Sequence, residues 1–252
     1  MPLAAFDLEI ATELSGDDRN WLRHGPIGIS CAALMREGVD STPLVMFDPQ
    51  GSPHLFDPKT KGVTREGASL LVEALSDAAR RGFTVVTWNG LGFDFQVLAL
   101  ESGLHSECVA LAWNSIDMMF QVVCANGHRL KLDTALAGMG LESKIHAIRL
   151  SDGREVPISG SEAPRLWQAG EYRAVMEYCA GDVRQALALA RECERRGCLS
   201  WTSQRGKPAR MNLGNRWLTV HECLALPEPD TAWMRDPVSR ASFTSWIDHV
   251  VS

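Results

Sequence analysis

The sequence lacks the features that define several large classes of protein. Its seven cysteines form no CxxC pair and leave one over, which argues against a disulfide framework and indicates reduced thiols. It contains no internal repeat, and no hydrophobic run approaches the length that crosses a bilayer. No basic region and apolar core of a secretory signal follow Met1. We therefore expect a cytoplasmic protein with no membrane partner.

Positive charge is also scarce. The chain has 25 Lys and Arg against 31 Asp and Glu, a formal net charge of −6. This balance argues against broad, charge-driven coating of nucleic acid, although a local basic groove or bound divalent cations can still hold a phosphodiester. With 252 residues, 45% of them hydrophobic, the chain can bury the core of one large domain with or without an appendage.

One group of residues raises the possibility of zinc. It consists of Cys193, Cys198, His221 and Cys223. The first spacing is wider than in the usual zinc knuckle, and the surrounding sequence does not resemble a zinc ribbon. The pattern favours free thiols, with zinc as the open alternative.

The hydrophobic periodicity predicts a mixed α/β sheet. Alternating residues predict three strands, and the short connections between them favour an antiparallel meander. A helix with Thr64 as N-cap and Gly82 as its stop precedes a buried strand, and this order favours a parallel addition to the meander. The predicted strands are 3–10, 27–35, 43–47 and 83–88, and the predicted helices are 65–81, 93–103, 130–139 and 171–196. Residues 151–164 are polar and rich in Gly, Pro and Ser, which predicts a mobile surface loop.

The character of the sequence changes near residue 200. Residues 200–252 hold four of the eight tryptophans together with turn-forming Gly and Pro. We therefore predict a main domain at 1–199 and a C-terminal appendage of strands and loops at 200–252, packed on the main domain.

Two carboxylates stand on the first predicted strand. Asp7 and Glu9 are two residues apart, so their side chains leave the same face, while Phe6, Leu8 and Ile10 leave the other. Both carboxylates can therefore reach one cation. Taken alone, the pair is more typical of a half-exposed strand with an acidic side.

Two further motifs follow in chain order. Asn89 and Asp94 form N-x3-F-D, which leaves a buried strand through two glycines and enters a helix. Tyr178 and Asp182 lie four apart in a late helix and share a face. In isolation, Asp94 is typical of a helix start, and the Tyr178–Asp182 pair is typical of a solvated stripe.

Taken together, the three motifs resemble the DEDD (DnaQ-like) exonuclease superfamily, over roughly residues 3–196. The Y-x3-D motif is similar to the tyrosine branch, which includes ribonuclease D-like enzymes and the proofreading domains of family B polymerases. The histidine branch would need a histidine at 177, where this chain has Glu177. The resemblance implies a ribonuclease H-like fold and a 3′→5′ exonuclease.

The resemblance also implies roles for the signature residues. Phosphodiester hydrolysis needs an activated water, a clamp on the non-bridging oxygens and stabilisation of the leaving 3′ oxygen, which two divalent cations can supply. Asp7 would contact both cations, Glu9 and Asp182 would complete one site, and Asp94 would hold the second. Oxygen ligands suit Mg²⁺ or Mn²⁺. Tyr178 would orient the attacking water, because an unperturbed phenol is a poor base near neutral pH.

Contacts to the nucleic acid are expected at two places. Near the motifs the expected contacts are Ile10, Ala11, Asn89 and Phe93, although this chain has Ile10 and Ala11 where threonine and glycine are commonest in the family. In the appendage they are Arg205, Lys207, Arg210 and Arg216, since basic residues among tryptophans can bind a single strand. The partner is expected to be a 3′ end, most simply a single-stranded one. The signature does not distinguish DNA from RNA.

Two other functions fit parts of the pattern. A nucleic-acid-binding or scaffolding module could retain this fold with weak or no catalysis, but the motifs are complete. A carboxylate glycosidase needs only two acids and leaves the N-x3-F-D and Y-x3-D motifs unexplained.

Overall fold

The main sheet of the molecule mixes antiparallel and parallel strands. The computed structural model describes residues 1–14 and 27–248. The strands of the sheet are β1 (Leu3–Ile10), β2 (Ile29–Arg36), β3 (Leu44–Met46), β4 (Thr84–Thr87) and β5 (Ile116–Asp117). Their order is β3-β2-β1-β4-β5; β1 to β3 are antiparallel, and β4 and β5 run parallel to β1. This α/β arrangement confirms the predicted ribonuclease H-like mixed sheet.

Helices cover both faces of the sheet, and two short hairpins complete the described chain. The helices are α1 (Arg65–Arg80), α2 (Asp94–Ser102), α3 (His105–Asn114), α4 (Met118–Asn126), α5 (Leu132–Met139), α6 (Ala163–Gln168), α7 (Tyr172–Arg196), α8 (Val220–Cys223) and α9 (Ala241–Thr244). The hairpin strands are β6 (Ala147–Arg149) with β7 (Glu155–Pro157), and β8 (Cys198–Thr202) with β9 (Pro208–Asn212). One core contains residues of α5, α6 and α7, and the other contains residues of α1 to α4.

The predicted strands and helices are confirmed to within a few residues. The first helix begins as expected, because the Thr64 hydroxyl accepts a hydrogen bond from the backbone N–H of Gly67. It ends before Gly82, which has a φ of 87°. Its buried face includes Leu71 and Leu75, which pack against the sheet. The apolar periodicity therefore located this element correctly.

Other segments differ from the prediction. The expected mobile loop at 151–164 contains β7, which pairs with β6, and the first residues of α6, so the loop prediction is wrong there. Ile148 in β6 and Ile158 just after β7 are buried, and they join this hairpin to the core under α7. The polar composition of 151–164 did not indicate that two isoleucines would pack this hairpin on the core. The sequence also gave no sign of α3 or α4.

The segment beyond Gly197 packs closely on the rest of the chain. A side chain at Gly138 of α5 would collide with the backbone of Ser200 and Trp201, so β8 lies directly on that helix. Of the four tryptophans in this segment, Trp201, Trp217 and Trp246 are buried and Trp233 is exposed. The division at residue 200 remains a prediction, and residues 249–252 lie outside the described residues. Among described helices, none is long and apolar enough to span a membrane.

Candidate active site

The site begins on β1, the central strand of the sheet. Side chains alternate along it: Phe6 and Leu8 enter the core under α1 and α2, and Asp7 and Glu9 point to the face that α7 covers. The pairing with β2 shifts register between Glu9 and Ile10, an irregularity that re-aims side chains at the end of a strand. The two carboxylates thus lie beneath α7, next to a break in the ladder.

Helix α7 supplies the third carboxylate. The ligand oxygens of Asp7, Glu9 and Asp182 all lie within 4.8 Å of one another. Glu9 and Asp182 are buried, with 6% and 7% of their surfaces exposed. Within the described residues, Asp182 Oδ1 is a buried oxygen that has no hydrogen-bond partner. Three converging carboxylates with a free buried oxygen are the geometry of a site for a hard cation.

Asp94 adds a fourth carboxylate at the start of α2. Its Oδ1 accepts a hydrogen bond from the backbone N–H of Leu8 at 3.0 Å. Leu8 lies between Asp7 and Glu9, so this bond holds Asp94 beside the other acids. Asp94 is 3% exposed, and it borders a surface groove that Asp7, Glu9 and Asp182 also border.

The turn that precedes Asp94 is held by a fifth acid, Asp117, which is 1% exposed. Its Oδ1 accepts a hydrogen bond from the backbone N–H of Asn89 at 3.0 Å, and its Oδ2 accepts one from Leu91 at 2.9 Å. Asn89 has a φ of 73°, in the left-handed region. A side chain at Gly90 would lie 2.5 Å from Thr87, so only glycine fits there. Asp117 therefore stabilises the tight turn between β4 and α2.

A lysine that the motifs do not include completes the site. Lys144 Nζ lies 2.5 Å from Asp182 Oδ2 and donates a hydrogen bond to the Tyr178 hydroxyl at 2.9 Å. Tyr178 is 2% exposed. The tyrosine, the aspartate one turn later and the ammonium group thus form one connected group on the surface of α7 that faces the site.

The segment around Lys144 is fixed on α7 by several contacts. A side chain at Gly181 would lie 2.7 Å from Ile145 Cδ1, so this glycine allows the segment to lie directly on the helix. Gln185 Nε2 donates to the Ser143 carbonyl at 2.5 Å. Asp133 Oδ1 accepts a hydrogen bond from the Lys144 backbone N–H at 3.0 Å. These contacts explain how a loop lysine is delivered to a precise place.

Burial and like charge raise the pKa values of the acids. Desolvation is the largest cause for Asp7 and Glu9, and the neighbouring carboxylates add to it. Burial raises the pKa of Asp94 to about 7. Burial also raises the pKa of Asp182, but Lys144 opposes the effect. Without a cation these acids therefore retain protons more readily than ordinary carboxyl groups, and a bound cation would stabilise their ionised forms.

The two groups next to the acids keep their protons. Burial lowers the pKa of Lys144, but the Asp182 carboxylate outweighs it and the net shift is upward. Burial, Asp182 and Glu9 raise the pKa of Tyr178. Near neutral pH the site thus has a charged ammonium and a neutral phenol, so the tyrosine can donate or accept a hydrogen bond but cannot act as a phenolate base.

The acids border an open groove of about 360 Å³. Its apolar walls are formed by Ile10, Leu14, Trp88, Phe93 and Pro164, and Asn89 is also at its edge. Of the expected contacts to the terminal nucleotide, Ile10, Asn89 and Phe93 therefore border the groove. Ala11 does not: it is fully buried, and its carbonyl accepts a hydrogen bond from Gln168 Nε2 at 2.7 Å.

The expected basic contacts lie elsewhere. Arg205 and Lys207 are in or beside the turn between β8 and β9, and Arg210 is on β9. Arg216 donates to both carboxylate oxygens of Glu222. None of the four is among the described residues that border the groove.

The possible zinc ligands are not gathered. In the described part of the chain, the one group with metal-ligand geometry is Asp7, Glu9 and Asp182. All seven cysteines are free and buried. His221 packs edge-on against Trp113, at 6.2 Å between ring centroids, and Cys223 lies next to Cys124. The structure thus favours the free thiols that the spacing indicated.

Two residues of the site, Asp117 and Lys144, were missed by sequence reasoning. Asp117 had a usable signal: it ends a parallel strand adjacent to β4, and the carboxyl ends of parallel strands meet at one edge of a sheet. Lys144 had none, because a lone lysine in a loop is ordinary surface composition.

Comparison with solved structures finds several similar chains, two of which follow. The family B DNA polymerase of the hyperthermophilic archaeon Pyrobaculum calidifontis matches 77% of this chain and 24% of its own, with a TM-score of 0.49 and 17% identity. A moderately thermophilic Exonuclease I from Methylocaldum szegediense matches 77% of this chain and 40% of its own, with a TM-score of 0.35 and 16% identity. The chain thus spans less than half the length of either protein. No family model and no curated protein sequence matches it.

Proposed function

We propose that the chain is a metal-dependent 3′→5′ exonuclease of the tyrosine branch of the DEDD superfamily. The convergence of Asp7, Glu9 and Asp182 within 4.8 Å carries the proposal. Asp94 is bonded to the strand between the first two, and Tyr178 lies one turn from Asp182. Three separate motifs therefore meet at one place, in the combination that phosphodiester hydrolysis requires.

The residues fit divalent cations. Asp182 Oδ1 is buried without a hydrogen-bond partner among the described residues, and burial raises the pKa of every acid in the cluster. All ligand atoms are hard oxygens, which suit Mg²⁺ or Mn²⁺. Asp7, Glu9 and Asp182 would hold one ion, and Asp94 with Asp7 would hold a second. When bound, the two ions would supply Lewis-acid charge beside the phosphodiester and lower the pKa of a water molecule, so that hydroxide is available as the nucleophile near neutral pH.

The remaining site residues would orient the reactants. The neutral Tyr178 hydroxyl, held by Lys144, would position the attacking water by a hydrogen bond. The Lys144 ammonium would add a fixed positive charge where the phosphate oxygens approach the carboxylates. Tyr178 and Lys144 both contact Asp182, which is also a proposed ion ligand. This one carboxylate would therefore connect the attacking water, the two side chains and one ion site.

The substrate is proposed to be the 3′ end of a single-stranded nucleic acid. The groove places apolar walls at Ile10, Leu14 and Phe93 beside the carboxylates. An unpaired base can lie against such walls, while the phosphate is held by the acids through their cations. This arrangement would suit a strand end that is free to enter the groove.

Digestion of 5′-labelled oligonucleotides tests the proposal. Single-stranded DNA, duplex DNA and RNA are incubated with Mg²⁺ or Mn²⁺, with and without EDTA. A 3′→5′ enzyme gives a descending ladder that EDTA abolishes and either metal restores. The inactive control is Asp7→Ala. The matched control is Asp152→Ala, because Asp152 is a carboxylate outside the site that forms an ion pair with Arg154 in the β6–β7 turn.

Three results would contradict the proposal. Immediate release of a labelled mononucleotide would show the opposite polarity. Full activity in EDTA would exclude the metal requirement. Binding of the oligonucleotide with no product under any condition would instead identify a nucleic-acid-binding module of the same fold.

A further inference from the structure

Residues 240–246, near the end of the described chain, pack against the turn that precedes Asp94. Phe243 is fully buried and Trp246 is 5% exposed, and both belong to the core under α2 to α4. Arg240 holds this segment in place by donating to the backbone carbonyls of Cys124 and Pro227. We refer to Arg240, Phe243 and Trp246 as the C-terminal clasp.

The clasp contacts the turn that precedes Asp94. Trp246 Nε1–H donates a buried hydrogen bond to the Leu91 carbonyl at 2.8 Å, although the two residues are 155 positions apart in sequence. Phe243 packs on Gly92, where a side chain would lie 2.9 Å from Phe243 Cδ1. The turn and the clasp therefore approach so closely that only glycine fits between them.

Asp117 holds the same turn from the opposite side. Its Oδ2 accepts a hydrogen bond from the Leu91 backbone N–H. The N–H and the carbonyl of Leu91 are thus each bound by a buried side chain from elsewhere in the chain. Leu91 is fully buried, so these two backbone groups cannot bind water and depend on the two side chains for hydrogen bonds.

Asp94 follows this turn after two residues and has little freedom of its own. Its carboxylate is directed at the Leu8 backbone N–H, beside Asp7 and Glu9. A shift in the turn would move Asp94 relative to the other acids, and misplacement by about 1 Å can cost about a hundredfold in rate. The position of the fourth acid therefore depends on groups that never contact the substrate groove.

We infer that Trp246, with Phe243, is a positioning residue that sets the place of Asp94 in the active site. The inference rests on the proposed function, because Asp94 is the acid assigned to the second ion. It assigns a task to the segment beyond residue 240, which the motifs do not include. Trp246 acts through the Leu91 peptide and not through contact with substrate.

The substitution Trp246→Phe tests the inference by removing the indole N–H and keeping an aromatic ring. We expect kcat to fall about tenfold to a hundredfold with KM changed less than about twofold, and Mn²⁺ binding at one of two sites to weaken by a similar factor. Amide hydrogen exchange at 88–94 should become at least about tenfold faster, while exchange in α1 is unchanged. Phe243→Leu, which keeps an apolar contact to Gly92, should show a smaller effect of the same kind.

Trp233→Phe is the matched control. Trp233 lies in the same part of the chain and its indole N–H also donates to a backbone carbonyl, that of Asp230, but its side chain is 67% exposed. This variant should match the wild type in all three measurements. Circular dichroism at the assay temperature establishes that each variant is folded.

The outcomes separate this inference from the proposed function. If Trp246→Phe is folded and equals the wild type in kcat, Mn²⁺ affinity and exchange at 88–94, the inference is wrong. If Trp246→Phe is unfolded, Phe243→Leu supplies the same three measurements, and wild-type values there overturn it. If the wild type neither binds Mn²⁺ nor cleaves any substrate, the proposed function is wrong. In that case, unchanged exchange at 88–94 in Trp246→Phe would also show that Trp246 does not hold the turn.

Discussion

The two faces of strand β1 differ in what they bury. One face places Phe6, Leu8 and Ile10 in an apolar core with α1 and α2, where Phe6 and Phe95 pack with ring centroids 5.9 Å apart. The other face places Asp7 and Glu9 beneath α7. Neighbouring residues of one strand therefore enter opposite environments.

The difference shows how a buried charged site can be accommodated. On the α7 face the strands carry small residues, Ala5, Cys31 and Ala33, so the helix can approach closely and bring Asp182 to the strand acids. The charges there oppose folding, because burial raises their pKa values. The apolar face supplies stability that offsets this cost. Stability and chemistry are thus divided between alternate residues, and each can be changed separately.

The largest expected effect comes from a change on the acidic face. Asp7→Asn removes a charge that both ion sites need, so turnover should fall by about a thousandfold or more and Mn²⁺ affinity should drop. The fold should be retained or stabilised, because like-charge repulsion is relieved. Single-turnover kinetics with calorimetric Mn²⁺ titration measure both effects. Two bound ions and normal turnover in Asp7→Asn would show that the role assigned to it is wrong.

A change on the apolar face should lower stability and leave activity unchanged. Leu75 is fully buried on α1, so Leu75→Ala should lower the free energy of unfolding by about 2–5 kcal/mol. Activity per folded molecule should be unchanged at low temperature. Urea denaturation measures the loss, and Leu70→Ala, at a position 41% exposed on the same helix, is the control. A loss of kcat in folded Leu75→Ala would mean that the two faces are not separable.

Tyr178→Phe probes the edge of the acidic face. The ring is kept, so metal and substrate binding should persist, but kcat should fall by about tenfold to a thousandfold for loss of one positioning contact. The other tyrosine of the chain, Tyr172, is also on α7 and packs against Trp167. Tyr172→Phe should therefore leave kcat unchanged. Hydrolysis by Tyr178→Phe at the wild-type rate would remove the tyrosine from the mechanism.

The acidic face should also make stability depend on pH. Burial raises the folded-state pKa of Asp94 to about 7 and that of Asp117 to about 6, above the ordinary value of about 4. Between about pH 4 and 7 the folded chain therefore binds protons that the unfolded chain does not, and stability falls as pH rises. The metal-free protein should have a Tm several degrees higher near pH 5.5 than near pH 8. Thermal denaturation in EDTA gives this difference, and a Tm that rises with pH would contradict it.

The smallest effect is expected at the basic residues outside the groove. Changing Arg205, Lys207, Arg210 and Arg216 together to Ala should weaken binding of a long single strand by a few fold and flatten its salt dependence, with kcat at saturation retained. Arg216→Ala alone serves as a control, because Arg216 is already paired with Glu222. Unchanged affinity and salt slope would assign the cluster to the ordinary solvated surface.

Local patterns predicted much of the fold because they report local physics. The alternation of β1 and the cap and periodicity of α1 follow from one strand or helix meeting one apolar core. The same patterns failed at 151–164, a polar segment that contains the buried Ile158 and follows the buried Ile148 of β6. Two isolated apolar residues fix this hairpin, and they are too few to form a recognisable apolar period.

The site divides in the same way. The pairs Asp7–Glu9 and Tyr178–Asp182 could be predicted to share a face because each has a fixed spacing on one strand or helix, whereas their convergence was implied only by the family resemblance. Lys144 could not, since its position depends on Gly181 accepting Ile145 from another segment. Trp246 could not either, because its hydrogen-bond partner is a backbone carbonyl, which every residue has. Contacts between distant segments leave no period in the sequence.

The hydrogen bond from Trp246 to Leu91 has a consequence for synthesis of the protein. Asp7 and Glu9 belong to β1, at the centre of the sheet, and their partner helix lies far along the chain: Cys179 of α7 contacts the Asp7 backbone across 172 positions. Asp94 receives its last support only with Trp246. Pairings of such long sequence separation form late in folding. A nascent chain therefore carries Asp7 and Glu9 without their partner carboxylate until α7 has been synthesised, and Asp94 lacks its contact through the Leu91 peptide until Trp246 has been added.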